Sequence, residues 1–230
     1  MRVNVLLGDI DSSIIRSDIV VAIDVLRSST TILTALANGA ERVIPVSTVG
    51  EAFKIGGGNS VLLGGEDNSI KPSLFHLGNS PLEYTRDKVE GKTIILYTSS
   101  GAKLLRFLSL FSKKVLIGAL INSSALVDYL VRQGFNNVSI VTAGKIGQPA
   151  LEDVYCAGLI ARMLPWSECN KNAEIAMRVS EMSIEIVKRA RHAVELARLG
   201  LGGDVEYSLS PDKVGVIAGL VSSTGCIRLL

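Results

Sequence analysis

The chain has 230 residues, 47% of them apolar and only 5% aromatic, with 24 basic against 22 acidic side chains. That length suits one large α/β domain or two small intimate ones, and a core of Val, Ile, Leu and Ala favours parallel sheet under helices over a sandwich. A net charge of +2 without a basic run argues against nucleic acid as a partner, but not against a small anionic ligand held by a few charges.

In chain order, the first strand-like run is 3–7. The surrounding "MRVNVLLGDIDSS" has a single basic residue and a short apolar run, so it reads as a strand rather than a secretion signal. The Asp9-Ile10-Asp11-Ser12 that follows resembles the DxDx[ST] nucleophile motif of the haloacid dehalogenase phosphatases. Against that, Gly8 intervenes, and a new strand at 19–23 leaves no room for that family's next elements. The second strand runs into Asp24, Arg27 and four successive hydroxyls at 28–31. A helix is predicted over 29–37, with Gly39 where a left-handed residue closes a helix.

Strands follow at 42–46 and 61–63, the latter ending in the turn Gly64-Gly65-Glu66-Asp67. Residues 67–90 are polar, contain Pro72 and Pro81, and form the longest irregular stretch, a type of loop that often carries function. The strand 93–97 leads through Thr98, Ser99, Ser100 and Gly101 into a helix at 102–111. The strand 115–117 leads through Asn122 into a helix at 123–132, closed by Gly134. The strand 138–141 leads to Lys145 and a helix at 151–164, with Glu152 and Asp153 in its first turn and Pro165 at its end. One long helix is predicted over 173–199; it either covers the sheet or offers a face for a homodimer. The alternation of strand and helix predicts a single α/β domain of three layers, α/β/α, with a mostly parallel sheet. Two intimate subdomains meeting near residue 90 are the variant of this plan. The segments 20–46 and 93–119 echo one another as strand, hydroxyl cluster, helix, strand, which any two βαβ units would do.

Cys156, Cys169 and Cys226 form no CxxC pair, which argues against a thiolate zinc site, and their odd number suggests a reducing, cytoplasmic setting. No apolar run approaches the roughly 18 residues of a membrane span. No GxGxxG opens a helix, and the "GKT" at 91–93 has Arg86 where a phosphate loop needs glycine.

Ligands of open parallel sheets sit beyond the carboxyl ends of the strands. Five predicted strand ends deliver small or polar residues there. Hydroxyl and glycine clusters at helix openings, Ser28-Ser29, Ser99-Ser100-Gly101 and Ser123-Ser124, offer backbone N–H groups and a positive dipole end to an anion. Arg27 adds a fork suited to phosphate or sulfonate. Asp24, Glu66, Asp67, Glu152 and Asp153 are oxygen ligands of the kind a hard cation such as Mg²⁺ takes. Each cluster also has an ordinary reading. The serines serve as N-caps, Asp24 pairs with Arg27, Glu152 and Asp153 complement a helix dipole, and the glutamate turn is solvated. His76 reads as a surface residue, His192 as one on a helix face, and Tyr84 and Trp166 as packing residues. The number of clusters arriving at one edge favours a site for phosphoryl transfer to water.

The motifs "VVAIDVLRSSTTILTALANGAERVIPV", "FHLGNSPLEYT" and "VTAGKIGQPALEDVYCAGLIARML", with "GGED", "LYTSSGAKLL" and "GALINSSALVDYL", resemble the 2-phosphosulfolactate phosphatase family of coenzyme M biosynthesis over nearly the whole chain. The resemblance implies a three-layer α/β fold and Mg²⁺-dependent hydrolysis of (2R)-2-phospho-3-sulfolactate to 3-sulfolactate and phosphate. By motif position it carries over Asp24, Arg27, Glu66, Asn79, Ser99, Ser100, Asn122, Glu152 and Asp153. "TSSGAK" stands where the family often has threonines before Asn-Gly, and Asp67 where a basic residue often follows the glutamate. In the resulting expectation Mg²⁺ sits among Asp24 and two or more of Glu66, Glu152 and Asp153 and activates the attacking water, with Asp24 or Glu66 as base or, alternatively, as nucleophile. The amides of Ser28, Ser29 and Ser99 to Gly101 hold the phosphoryl oxygens, and Arg27 stabilises their charge. Asn79, Asn122 or Lys145 select the remaining acid group. A haloacid-dehalogenase-type enzyme using Asp9 and a non-catalytic binder of phosphorylated small acids remain the alternatives.

Overall fold

The computed structural model describes residues 1–8, 17–111, 114–144 and 148–230, so Asp9 and Lys145 lie outside the described residues. The apolar runs become strands and the intervening segments helices. In chain order these are β1 (Arg2–Leu7), β2 (Ile19–Ile23), α1 (Ser28–Ala37), β3 (Arg42–Val46), α2 (Val49–Ile55), β4 (Val61–Gly65), α3 (Arg86–Val89), β5 (Thr93–Tyr97) and α4 (Gly101–Phe111). The second half continues with β6 (Val115–Gly118), α5 (Ser123–Gln133), β7 (Asn137–Thr142), α6 (Leu151–Met163), β8 (Glu168–Cys169), α7 (Lys171–Val179), α8 (Ile184–Val187), α9 (Arg191–Arg198), α10 (Gly202–Ser208), β9 (Ala218–Val221) and β10 (Cys226–Leu229).

All described strands join one mixed sheet in the order β4-β5-β3-β10-β9-β6-β2-β7-β1-β8. It is mostly parallel: β4, β5 and β3 form one parallel block, and β6, β2, β7, β1 and β8 form another. The C-terminal hairpin β9–β10 joins the blocks through three successive antiparallel pairings. The sequence reading missed this hairpin because each strand has only four residues and the apolar run 214–221 that leads into it is interrupted by Gly215 and Gly219.

The two echoed segments are not the ordinary βαβ units expected, whose strands would lie in one parallel block. The unit β2–α1–β3 crosses from the second block to the first, and β5–α4–β6 crosses back. The two crossover helices share one apolar cluster. Ile32, Leu33 and Leu36 of α1 and Leu104, Leu105 and Leu108 of α4 pack there with Val20 of β2 and Ile94 of β5. The neighbouring β2 residues Ile19, Val21 and Ile23 belong to a different cluster, with Ala157 and Ile160 of α6 and Leu196 of α9. A strand whose successive side chains are all buried but divide between two cores needs apolar residues at every position, as "IVVAI" supplies.

The single helix expected over 173–199 is instead α7, α8 and α9. Hydroxyls mark the break between α7 and α8: Ser180 Oγ donates back to the Met177 carbonyl at 2.7 Å, and Ser183 Oγ accepts from the Glu185 N–H at 3.3 Å. Such local bonds compete with continued helix. No helix among the described residues is long and apolar enough to cross a membrane.

Asp212, from the segment after α10, caps α5. Its Oδ1 accepts from the Ser124 N–H at 2.9 Å and the Ser123 hydroxyl at 3.0 Å, and its Oδ2 from the Ser124 hydroxyl at 2.7 Å. Partial burial pushes the carboxyl up, but the hydrogen bonds from Ser124 and Ser123 outweigh it and hold the group below the usual aspartate value. A lowered folded value means the ionised cap stabilises above the unfolded aspartate range and loses that contribution as pH falls through the folded value. Asp212→Ala is expected to cost about 1 kcal/mol near neutral pH, a cap-sized effect already reduced by solvent screening. Thermal melts of both proteins at several pH values check this. The gap should narrow below about pH 4, and a gap independent of pH would remove the charge from the explanation.

Candidate active site

The crossing of the two units brings the start of α1 against the start of α4. Asp24, just beyond β2, accepts from the Ser100 hydroxyl at 3.0 Å through Oδ2 and from the Ser28 N–H at 3.3 Å through Oδ1. Ser28 Oγ and Thr98 Oγ1 lie 3.4 Å apart, and Thr98 Oγ1 accepts from the Ala102 N–H at 2.8 Å. Both helices therefore aim their positive dipole ends at one point. The Ser29 N–H donates to the Asp24 carbonyl at 2.8 Å and the Ser99 N–H to Glu66 Oε1 at 2.7 Å. Of the amides expected to meet an anion, those of Ser28, Ser29 and Ser99 are thus satisfied within the protein. The N–H groups of Ser100 and Gly101 have no acceptor among the described residues.

Gly101 permits this approach. A methyl group there would lie 2.6 Å from Asp24 Oδ2 and would strike the Ser28 side chain. Gly101→Ala must push α4 away from α1, and misplacement of about 1 Å costs on the order of 10²-fold in rate when geometry matters. The expected result is a loss of that order in kcat/KM with unchanged far-UV circular dichroism; normal kinetics would show that the contact is dispensable.

Two other carboxylates hold backbone. Gly65 has φ of +133°, and a side chain there would overlap the Tyr97 backbone, so glycine lets β4 close on β5. The next residue, Glu66, then accepts from the Ser99 N–H at 2.7 Å through Oε1 and from the Ser69 N–H at 2.6 Å through Oε2. Asp153, in the first turn of α6, accepts from the Val25 N–H at 2.8 Å and the Gly144 N–H at 3.4 Å, tying the end of β2 to the loop after β7. Burial, and then the charges of Asp24 and Glu152, push the Asp153 carboxyl well above the ordinary value. Burial likewise raises Asp24, although the Ser100 hydroxyl opposes it.

Glu152 is different. Its Oε1 meets His192 Nδ1 at 2.7 Å, while its buried Oε2 has no partner among the described residues. His192 is therefore not a plain helix-face residue; α9 carries it to the rim. Arg27 lines the cavity at this rim, but its carboxylate partner is Asp204 and not Asp24. Its Nη1 lies 2.6 Å from Asp204 Oδ2, with both side chains only 3% exposed, and the Ser80 hydroxyl donates to Asp204 Oδ1 at 2.6 Å. Asp204 was not singled out from the sequence; its only signal was its place in "LGLGGDVEYS", within the closing segment.

A cavity of about 650 Å³ opens here. Asp24, Arg27, Glu66 and Asn79 line it, as do Ser99, Ser100, Glu152 and Asp153. Asn79 Oδ1 is buried without a partner among the described residues. Ser28 and Ser29 are not among the cavity's lining residues, and Gly101 adjoins the lining residue Ser100. Asn122 stands apart: its Oδ1 accepts from the Ala119 N–H at 3.0 Å, and its Nδ2 donates to the carbonyls of Ile117 and Val216 at 3.3 and 3.2 Å. His76 is exposed, its Nδ1 accepting from the Leu63 N–H at 2.9 Å, and Tyr84 is buried with its hydroxyl on the Gly78 carbonyl at 2.7 Å.

No three His, Cys, Asp or Glu side chains among the described residues are grouped tightly enough to enclose a metal ion. Mg²⁺ rarely needs such a cage; it takes one or two carboxylates, keeps several waters and binds substrate phosphate. The unpartnered Glu152 Oε2 and the raised carboxylates of Asp24 and Asp153 fit that mode, since a buried acidic cluster lacks a compensating positive charge.

The sequence matches the family model described as 2-phosphosulpholactate phosphatase over residues 8–222. A protein of Thermotoga maritima named "Probable 2-phosphosulfolactate phosphatase" is 39% identical over 212 residues, covering 90% of this chain and 91% of its own. Proteins of the same name from Clostridium tetani and Clostridium acetobutylicum are each 34% identical, covering 94% of this chain and 96% of their own. With a match of this extent, the chain belongs to the 2-phosphosulpholactate phosphatase family.

Proposed function

We propose that this protein is a Mg²⁺-dependent phosphatase that hydrolyses 2-phosphosulfolactate to 3-sulfolactate and inorganic phosphate. The observation that carries the reading is the meeting of two helix N-termini beside a buried acidic cluster, in one cavity, in a member of this family. The division of β2 side chains between two cores supports the three-layer arrangement as part of the same proposal.

Glu152, whose Oε2 has no partner among the described residues, and Asp24, whose Oδ2 accepts only a side-chain hydroxyl, are the carboxylates that would hold Mg²⁺, with Asp153 beside them. When bound, the ion supplies Lewis-acid stabilisation of charge on the phosphoryl oxygens and makes the attacking water easier to deprotonate. The chain's own part is positioning and electrostatics, which dominate phosphoryl transfer. The free N–H groups of Ser100 and Gly101 donate to phosphoryl oxygens at the α4 N-terminus. Ser100 Oγ, fixed on Asp24, keeps that amide pair aimed at the acidic edge. Arg27, held by Asp204, presents its guanidinium to the cavity in one orientation. Glu66 keeps the Ser99 turn in place. Asn79 offers its amide from the far wall.

The test is phosphate release from 2-phosphosulfolactate by the purified protein. Release with Mg²⁺, loss with EDTA and recovery on adding excess Mg²⁺ are expected. Tight binding without phosphate release from this or any small phosphomonoester would make the protein a binder instead.

A further inference from the structure

The substrate assigned above carries a sulfonate and a carboxylate beside its phosphate. Once the phosphate sits at the helix ends, those negative groups face a cavity whose lining already includes Asp24, Glu66, Glu152 and Glu195. Cations must offset them. Arg27 is committed to Asp204 in a buried pair, and His192 is engaged by Glu152. Asn122 lies away from the cavity. The remaining cations of the lining are Lys103 and Arg198. Both are exposed, and neither makes an ion pair or side-chain hydrogen bond among the described residues.

Resting on the proposed function, we infer that Lys103 and Arg198 form the subsite that holds the substrate's sulfonate and so set the preference for a sulfonated substrate. Their placement fits this role. Lys103 is in the first turn of α4, the helix whose opening amides face the phosphate, so its ammonium reaches an anion beside that phosphate. Arg198 ends α9 and approaches from the wall that also supplies His192. A sulfonate has three acceptor oxygens and can accept from a lysine on one wall and an arginine fork on the other at once. Both side chains are solvated when the cavity is empty, so binding draws on charges with no buried partner to give up.

The experiment compares kcat/KM for 2-phosphosulfolactate and for 2-phospholactate, which lacks the sulfonate, in wild type, Lys103→Met and Arg198→Met. The ratio of the two values should fall about tenfold or more in each variant, since a hydrogen bond to a charged group contributes that much. Lys54→Met, an exposed lysine outside the cavity, serves as the charge control and should leave the ratio unchanged. Calorimetric titration with 3-sulfolactate should show a parallel weakening in Lys103→Met and Arg198→Met. A ratio and a 3-sulfolactate affinity within twofold of wild type in both variants overturn the subsite. Wild-type protein that releases phosphate from neither compound overturns the hydrolase reading instead, while the 3-sulfolactate titration still decides the subsite.

Discussion

Asp24→Asn is expected to lower turnover by roughly 10³-fold, about 4 kcal/mol of barrier, while leaving the melting temperature of the metal-free protein unchanged or higher. The two halves of this expectation share one cause. Asp24 is 6% exposed, and burial raises its carboxyl above the ordinary value. In the folded protein the charged form is therefore the disfavoured one, made tolerable by Ser100 and Ser28. For an acid raised on folding, stability is fully present below the unfolded value and is lost as pH rises through the folded value. An amide of the same shape removes that loss. It can keep the Ser28 contact through its oxygen, while the Ser100 hydroxyl turns to accept from its nitrogen. What it cannot do is balance a cation or the charge developing on a phosphoryl group. Steady-state kinetics at saturating Mg²⁺ and a thermal melt at pH 8 read the two halves separately. Near-normal turnover would remove Asp24 from the centre of the site, and a large drop in melting temperature would mean that its charge stabilises the fold.

Asp204→Ala is expected to be the most damaging single change outside the acidic cluster. It strands Arg27, a guanidinium buried at 3% exposure, and deprives the Ser80 hydroxyl of its acceptor. Breaking a buried pair from one side costs about 3–5 kcal/mol. In a chain of this length that lowers the melting temperature by about 10 °C. Activity should fall by on the order of 10²-fold as well, because Arg27 would leave its fixed orientation at the cavity wall. The double variant Asp204→Ala/Arg27→Met separates the effects. Removing the stranded charge should restore most of the stability and none of the activity. If both recover together, the pair is purely structural.

Much of the fold could be read from the sequence because its strands are buried on both faces. "IVVAI", "TIILY" and "VLIG" are continuous apolar runs bounded by polar turns, and Gly39 and Gly134 take the positive φ expected where α1 and α5 end. The order of the strands could not be read so. Nothing local in 20–46 or 93–119 says that each unit crosses between blocks, since that choice is made by which helix faces pack together. The antiparallel hairpin β9–β10 that joins the blocks is short and weakly patterned. The first break in 173–199 was signalled only by Ser180 and Ser183, and the second, at 188–190, falls among good helix formers with no such signal.

The site divides along the same line. Residues placed directly after strands, Asp24, Glu66, Ser99 and Ser100, reach the cavity because the strands aim them there. Contacts made with residues far off in the chain could not be read in this way. The side chain of Asn122 is taken up by Ile117 and by Val216, 94 positions away, and Arg27 pairs with Asp204, 177 positions away. His192 and Arg198 enter from α9, whose spacing shows only an exposed amphipathic helix.

The most direct measurement is a crystal structure of the protein soaked with tungstate, a tetrahedral oxyanion that scatters anomalously. The heavy-atom peak is expected within hydrogen-bonding reach of the Ser100 and Gly101 amides, with Asp24 and Arg27 on either side. Peaks found only outside this cavity would contradict the assignment of phosphate to the meeting point of α1 and α4.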